Sequence, residues 1–180
     1  MSWTTVLGVV VAILVFWGIG AYNRLMRLRN AIGDAYVLLD QHLNERAELC
    51  SALLAKLRPL LASEQATFDS LDSAQAEART AAQAARLKPY AGDPVAALAV
   101  SSAVHAAALT RLMSLLEHQP DLREREGIDP MVDELKLVER QRAFARQVFN
   151  MAVTQYNEAA RQFPTRILAS LYGFAEARSL

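Results

Sequence analysis

A long uncharged apolar run lies at the start of the chain and ends directly before a cluster of arginines. No Asp, Glu, Lys or Arg occurs between Trp3 and Tyr22. As an α-helix, which rises about 1.5 Å per residue, this run would be about 30 Å long and would span the hydrocarbon core of a bilayer. Trp3, Trp17 and Tyr22 lie towards its two ends, where aromatic rings favour the membrane interface. We therefore predict a transmembrane anchor over residues 1–22, with the lipid bilayer as a partner.

A cleaved signal peptide is the alternative interpretation of the same run. Signal peptides have a basic first segment, a shorter apolar stretch and a cleavage site made of small residues. Here Met1-Ser2 carries no basic residue, and Gly18-Ile19-Gly20 is only a weak cleavage site. The sequence therefore favours a retained anchor.

Three arginines determine the orientation that we expect for the anchor. Arg24, Arg27 and Arg29 follow the apolar run, and no acidic residue precedes Asp34. Lys and Arg near a membrane span stay on the cytoplasmic side of the membrane. We therefore expect a single-pass protein with its N-terminus outside and its body in the cytoplasm. A periplasmic body is the alternative orientation.

The charge of the rest of the chain excludes a nucleic-acid partner. The sequence has 19 basic and 19 acidic residues, so removing the three arginines after the anchor leaves 16 against 19, a net charge of −3. Proteins that bind nucleic acid need a clustered basic face. The single cysteine, Cys50, cannot form an intramolecular disulfide, and no cysteine pair exists for a zinc or iron–sulfur site.

Apolar residues recur at alternating intervals of three and four in four separate stretches, which is the pattern of helices packed in a bundle. The stretches cover residues 25–60, 68–85, 95–116 and 131–163. We predict an all-α fold in which an N-terminal transmembrane helix continues into an antiparallel up-down four-helix bundle over residues 23–163. The first and last helices of this bundle are expected to be long.

Two Asp-Pro pairs mark the expected starts of the third and fourth helices. In Asp93-Pro94 and in Asp129-Pro130 the aspartate would be the N-cap, and the proline would occupy the first helical position. The charged segment before the second pair, residues 119–127, is predicted to be a loop.

Four polar side chains fall on the apolar seams of the predicted helices and suggest a buried polar layer. They are His42, Arg46, His105 and Arg142. Glu45 or Glu139 could neutralise the arginines. Layers of this kind usually fix the register of helices. The alternatives are a pocket for an acidic ligand or partner, and arginines that extend to solvent from the edges of the seams.

No motif in the sequence indicates catalysis or cofactor binding. The three histidines form no His-x-x-x-His or Glu-x-x-His motif, so a zinc or di-iron site within one helix is not supported. No Ser-His-Asp or Cys-His pattern, phosphate-binding loop or carboxylate pair stands out. We therefore expect no enzyme activity, no metal and no cofactor.

The last segment, residues 164–180, is predicted to be an amphipathic tail near the membrane. The apolar residues expected to dock it are Ile167, Leu168, Leu171 and Phe174. Phe163-Pro164 should end the last long helix, because proline disfavours the helical state of the residue before it. A short apolar face beside a membrane either lies in the interface or folds back onto the first helix near Leu25 and Leu28. A frayed tail is the third alternative.

Several short motifs in a fixed order carry a resemblance to a known family. They are Tyr22-Asn23-Arg24 with the basic turn that follows, Ala35-Tyr36, Arg46-Ala47-Glu48-Leu49, Pro120-Asp121-Leu122, Ala145-Arg146-Gln147-Val148-Phe149-Asn150, Tyr156-Asn157, Phe163-Pro164 and Leu171-Tyr172-Gly173-Phe174. Each motif is weak alone, but their order and spacing over nearly the whole chain are specific. By these residues the chain resembles the LemA family.

The resemblance implies a bacterial, membrane-anchored four-helix protein without an agreed biochemical activity. One branch of the family is linked to building magnetosome membranes. The chain departs from the family pattern at three places, and so resembles a divergent member. Tyr36 stands where tryptophan is usual, Cys50-Ser51-Ala52 lacks the usual proline-asparagine pair, and residues 123–129 lack an asparagine-rich linker.

The expected function is that of a helical interaction or scaffold protein displayed on one face of the bacterial inner membrane. Its partner besides lipid would be an unknown protein, expected to be a membrane protein, or a second copy of the chain. The alternative is an accessory regulator of a membrane protease or signalling kinase. A metal- or ligand-binding bundle core is a more remote alternative, and so is a hydrolase.

The predicted orientation leads to a direct test. When alkaline phosphatase is fused after Leu180 in a Gram-negative host, we expect little phosphatase activity. The reason is that the arginines after the apolar run hold the body in the cytoplasm, where the disulfides of the enzyme do not form. High phosphatase activity in intact cells would contradict the orientation.

Overall fold

A computed structural model describes residues 2–124 and 127–180. In that part of the chain every regular element is helical. The six α-helices are α1 (Trp3–Leu57), α2 (Gln65–Leu87), α3 (Gly92–Glu117), α4 (Pro120–Glu124), α5 (Ile128–Arg161) and α6 (Thr165–Leu171), and one turn of 3₁₀ helix covers Ala62–Glu64. The prediction of an all-α fold is confirmed.

The apolar run and the first helix of the body form one uninterrupted helix. α1 contains 55 residues and is therefore about 83 Å long. At its start the side chain of Ser2 accepts a hydrogen bond from the backbone N–H of Thr5 and caps the helix. It ends at Leu57, two residues before Pro59, because proline cannot donate the helical hydrogen bond. Residues 3–17 are all exposed.

Two of the described helices are long and apolar enough to cross a membrane. The most apolar window of α1 has a mean hydropathy of 2.2 and none of it is buried within the protein. The most apolar window of α3 has a mean hydropathy of 1.5, and 33% of it is buried within the protein. Residues such as Val95, Leu98 and Leu109 of α3 are buried in the core. The apolar start of α1 is thus compatible with a membrane anchor, and α3 is a core helix of the body.

The starts of α3 and α5 differ from the prediction. Their N-cap residues are Ala91 and Gly127, so Asp93 and Asp129 lie within the first turn instead of before it. Gly127 adopts a φ of +66°, a left-handed conformation that glycine accepts without strain. An aspartate in the first turn still favours the helix, because its charge faces the positive end of the helix dipole.

The segment predicted to be a loop, residues 119–127, contains a short helix. α4 covers Pro120–Glu124 and has the proline at its first position. Nε of Arg123 donates to the carboxylate of Asp129 at 2.6 Å and ties α4 to the start of α5. Residues 125–126 of the same predicted loop lie outside the described residues.

α1 packs against both α2 and α5, and α2 also packs along α3. The hydroxyl of Tyr36 on α1 donates to the backbone carbonyl of Ala82 on α2 at 2.7 Å. The ring of Tyr36 also lies edge-on to the ring of Phe149 on α5. Near the end of α1, Arg58 forms an ion pair with Asp69 of α2 at 2.9 Å.

The apolar core consists of two large clusters with polar residues between them and a small third cluster of Leu25, Ala159, Ala160 and Ala169. The large cluster nearer the apolar run includes Ile32, Tyr36, Leu39, Leu43, Val95, Phe149 and Tyr156. The second cluster includes Cys50, Leu53, Phe68, Leu71, Leu112 and Leu135. On α1, the buried Arg46 lies between Leu43 of the first cluster and Cys50 of the second.

Candidate functional site

A polar layer lies between the two large apolar clusters and consists of Arg46, Gln75, His105, Glu139 and Arg142, of which Glu139 and Arg142 are half-buried. Arg46 is 2% exposed, and its Nη1 lies 3.4 Å from Oε1 of Glu139. Arg142, one turn further along α5, donates to Glu139 through Nε at 3.2 Å and through Nη2 at 3.0 Å. Two guanidinium groups therefore share one carboxylate.

Burial and opposite charge shift the pKa values of Arg46 and Glu139 in opposite directions. Burial lowers the pKa of Arg46, and the charge of Glu139 partly restores it. At Glu139 burial raises the pKa, but the hydrogen bonds from Arg142 and the charge of Arg46 outweigh burial, so the net pKa lies below its ordinary value. Burial raises the pKa of the neighbouring Cys50 thiol to about 12, which keeps that thiol protonated and unreactive at neutral pH.

His105 on α3 adds a neutral imidazole to the layer. It is 1% exposed, and burial together with the positive charge of Arg46 lowers its pKa to about 4. With Arg46 and Gln75 it lines a cavity of about 20 Å³, a volume that holds about one water molecule. Nε of Arg46 and Oε1 of Gln75 have no hydrogen-bond partner within the described protein, so the cavity offers a donor and an acceptor.

The structure brings together three of the four residues predicted to form the layer. They are Arg46, His105 and Arg142. The fourth, His42, is half-buried, and its Nδ1 forms a hydrogen bond of 2.8 Å with Glu45 on the same helix. Leu43, the next residue along α1, faces the core instead. The membership of His42 in the layer stays a prediction.

The described residues contain no arrangement that suits metal binding. Across residues 2–124 and 127–180, no group of three or more His, Cys, Asp or Glu side chains could hold a metal ion. His118 forms a hydrogen bond of 2.7 Å with the backbone carbonyl of Ser114 at the end of α3.

The three arginines after the apolar run have different surroundings. Arg24 and Arg27 are exposed on α1. The guanidinium of Arg29 lies over the ring of Tyr90, 3.7 Å from its centroid, in a cation–π contact that joins α1 to the connection between α2 and α3. Two of the three arginines are therefore open to solvent or to lipid headgroups.

The structure divides the four predicted docking residues of the tail into two pairs. Leu168 and Phe174 are half-buried, whereas Ile167 and Leu171 are exposed. The buried residue of α6 is Ala169, at 5% exposure, which packs with residues of α1 and α5. Ala169 faces inward because its small side chain lets the backbone of α6 lie close to α1 and α5. Beyond α6, residues 174–180 have no helical structure.

Two asparagines on α5 hold this last segment through its backbone. Asn157 donates to the carbonyl of Ala177 at 2.8 Å and accepts from its N–H at 2.9 Å. Asn150 makes the same two hydrogen bonds with Leu180, at 2.7 and 2.8 Å. Asn150 and Asn157 lie seven residues apart on the helix, and Ala177 and Leu180 lie three residues apart in extended chain. Both separations cover about 10 Å, so the two pairs match. The spacing of seven residues between the asparagines is the sequence signal for this contact.

Comparison with known proteins identifies the family of the chain. A family model described as LemA family matches residues 35–180, which is most of the chain, and confirms the resemblance found in the sequence. No curated protein matches the chain. The matched region contains the whole polar layer and both asparagines that hold the tail.

The ion pair of the polar layer leads to a stability prediction. Glu139→Gln should destabilise the protein by roughly 3 kcal/mol, because Arg46 would keep a buried charge without a counter-charge. Arg142→Gln is the matched control and should cost only about 1 kcal/mol, because it leaves the Arg46–Glu139 pair in place. Urea unfolding of the full-length protein in detergent, followed by circular dichroism, measures both values. Equal losses of stability would contradict this account of the layer.

His105 should make the stability depend on pH. Its pKa is lowered from 6.5 to about 4 by folding, so between these values the unfolded chain binds a proton that the folded protein does not. Stability therefore falls as the pH falls, and this group should contribute a loss of about 2 kcal/mol between about pH 7.5 and pH 5. His105→Leu should remove that part of the pH dependence in urea unfolding at the two pH values. The same pH dependence in variant and wild type would show that His105 titrates normally.

Proposed function

The chain belongs to the LemA family, and we propose that it acts as a membrane-anchored helical scaffold. In this proposal the body is displayed on the cytoplasmic face of the bacterial inner membrane and binds another membrane protein, without catalytic chemistry of its own. The observation that carries the proposal is the continuity of α1, which joins the exposed apolar run to the body without a flexible linker. A rigid connection holds the body at a fixed distance from the bilayer. The exposed Arg24 and Arg27 support the cytoplasmic orientation.

We also propose that α1, α2, α3 and α5 form an antiparallel four-helix bundle. The order of contacts along the helices supports this arrangement. Tyr36 of α1 contacts Phe149 of α5, whereas Arg46, further along α1, contacts Glu139, which is earlier on α5. The contacts between α1 and α2 also run in reverse order. Tyr36 contacts Ala82 late on α2, whereas Arg58, after the end of α1, contacts Asp69 early on α2.

The outer face of α2 and α3 is the surface that we assign to the protein partner. The two helices border an open groove of about 850 Å³ that is lined mainly by alanines, with Val100 and Val104 on the α3 side. Both valines are exposed, at 67% and 48%. Small residues allow a partner helix to approach closely, and covering the valines favours association.

Affinity purification of the full-length protein from chemically cross-linked membranes tests the scaffold and its surface together. We expect one membrane protein in stoichiometric amount with the wild-type chain. The double change Val100→Glu and Val104→Glu should abolish its recovery, because two unpaired carboxylates would have to be buried in the interface.

Leu137→Glu is the matched control, because Leu137 is an exposed apolar residue on α5 that does not line the groove. This variant should recover the partner as the wild type does. Equal recovery with the double variant would contradict the assigned groove, and recovery of lipid alone would contradict a protein partner.

A further inference from the structure

α6 lies beside the end of the apolar run, at the level where the hydrocarbon core of a bilayer would end. Cδ1 of Leu168 lies 3.9 Å from the position that a Cβ atom at Gly18 would occupy. The ring of Tyr22 is edge-on to the rings of Tyr172 and Phe174, with centroid distances of 5.3 and 5.7 Å. The end of the tail helix is therefore placed against the last turn of the run.

The side of this region that faces away from the protein is apolar and uncovered. Ile167 and Leu171 lie one turn apart on α6 and are 52% and 75% exposed, and the flanking Phe163 and Tyr172 are 74% and 63% exposed. Leaving such side chains in water, relative to burying them, costs on the order of 1–3 kcal/mol each. A contiguous exposed surface of this kind marks a contact with another molecule or with a membrane.

The segment that follows α6 is held to α5 by hydrogen bonds. Asn157 holds Ala177 through two hydrogen bonds. Arg161 donates to both carboxylate oxygens of Glu176 at 2.7 Å, and the hydroxyl of Tyr156 donates to a backbone carbonyl of the tail at 2.9 Å. The outward apolar surface thus belongs to a docked segment whose backbone is held from α5.

We propose that Phe163, Ile167, Leu171 and Tyr172 insert into the interfacial layer of the bilayer, so that α6 is a second membrane contact beside the anchor. This inference rests on the proposed anchoring of α1, because the apolar surface of α6 continues that of α1. The exposed Arg166 of α6 suits pairing with lipid phosphates. Tyrosine favours the same boundary, and an amphipathic helix with such a composition lies in the plane of the interface.

A fluorescent label tests the insertion at a single residue. The native Cys50 is buried and its thiol is unreactive, so an introduced cysteine takes the label selectively. Leu171→Cys would carry a nitrobenzoxadiazole group in full-length protein reconstituted into phosphatidylethanolamine and phosphatidylglycerol vesicles. We expect blue-shifted emission and several-fold stronger quenching by lipids with a spin label near the headgroup than by lipids with a spin label near the bilayer centre.

Two further labelled variants make the outcome specific. Phe144→Cys is the matched control, because Phe144 is 63% exposed on α5 and lies about 26 Å along that helix from its end. Its label should stay unquenched. Val10→Cys reports on the anchor and should be quenched by the spin label near the bilayer centre.

Each result decides a separate claim. A quenched label at position 10 with an unquenched label at position 171 would overturn the second membrane contact and leave the anchor in place. An unquenched label at position 10 would overturn the anchor itself. A label at position 171 that is blue-shifted but unquenched by either spin-labelled lipid would show that protein covers this surface, which also overturns the inference.

Discussion

The buried guanidinium of Arg46 is the constraint on which the arrangement of the helices depends. A charge at 2% exposure is tolerated only beside a counter-charge, and Glu139 supplies it from α5. Sliding α5 by one turn, about 5.4 Å, would separate the two groups and leave Arg46 without a counter-charge, whereas Glu139 would keep Arg142 on its own helix. The apolar seams on either side of the layer also pack specifically, as the contact between Tyr36 and Phe149 shows. The ion pair adds a constraint of charge to that packing.

Periodicity in the sequence identifies the inner face of a helix better than it identifies the buried residue. The three-four spacing placed Arg46, His105 and Arg142 on inner faces, and the structure brings them together. The same spacing selected His42, although Leu43 is the buried neighbour. Along α1 the buried residues keep alternating steps of four and three, from Leu39 to Leu43 and then to Arg46. A step of three from Leu39 followed by a step of four also reaches Arg46, but it selects His42 on the way.

The docking of the tail depends on contacts that apolar patterning does not describe. Large apolar residues usually face inward, so Leu171 was a natural candidate for docking, but the tail is held by backbone hydrogen bonds to Asn150 and Asn157. Small residues such as Ala169 face inward because they allow close approach. In the proposed membrane contact, an exposed leucine of α6 would face lipid instead of the protein interior. Composition and spacing predict the all-α fold, whereas these backbone contacts follow no apolar pattern in the sequence.

The absence of a break in α1 has a mechanical consequence for an anchored protein. The part of α1 beyond Tyr22 is a rod about 52 Å long, and it ends at Leu57. A tilt of about 20°, which is typical of membrane helices, would carry that end about 18 Å sideways over the membrane surface. A rotation of the helix in the bilayer would likewise turn the body through the same angle. Because a membrane helix tilts in response to the thickness of the bilayer, that thickness would change the direction in which the body points.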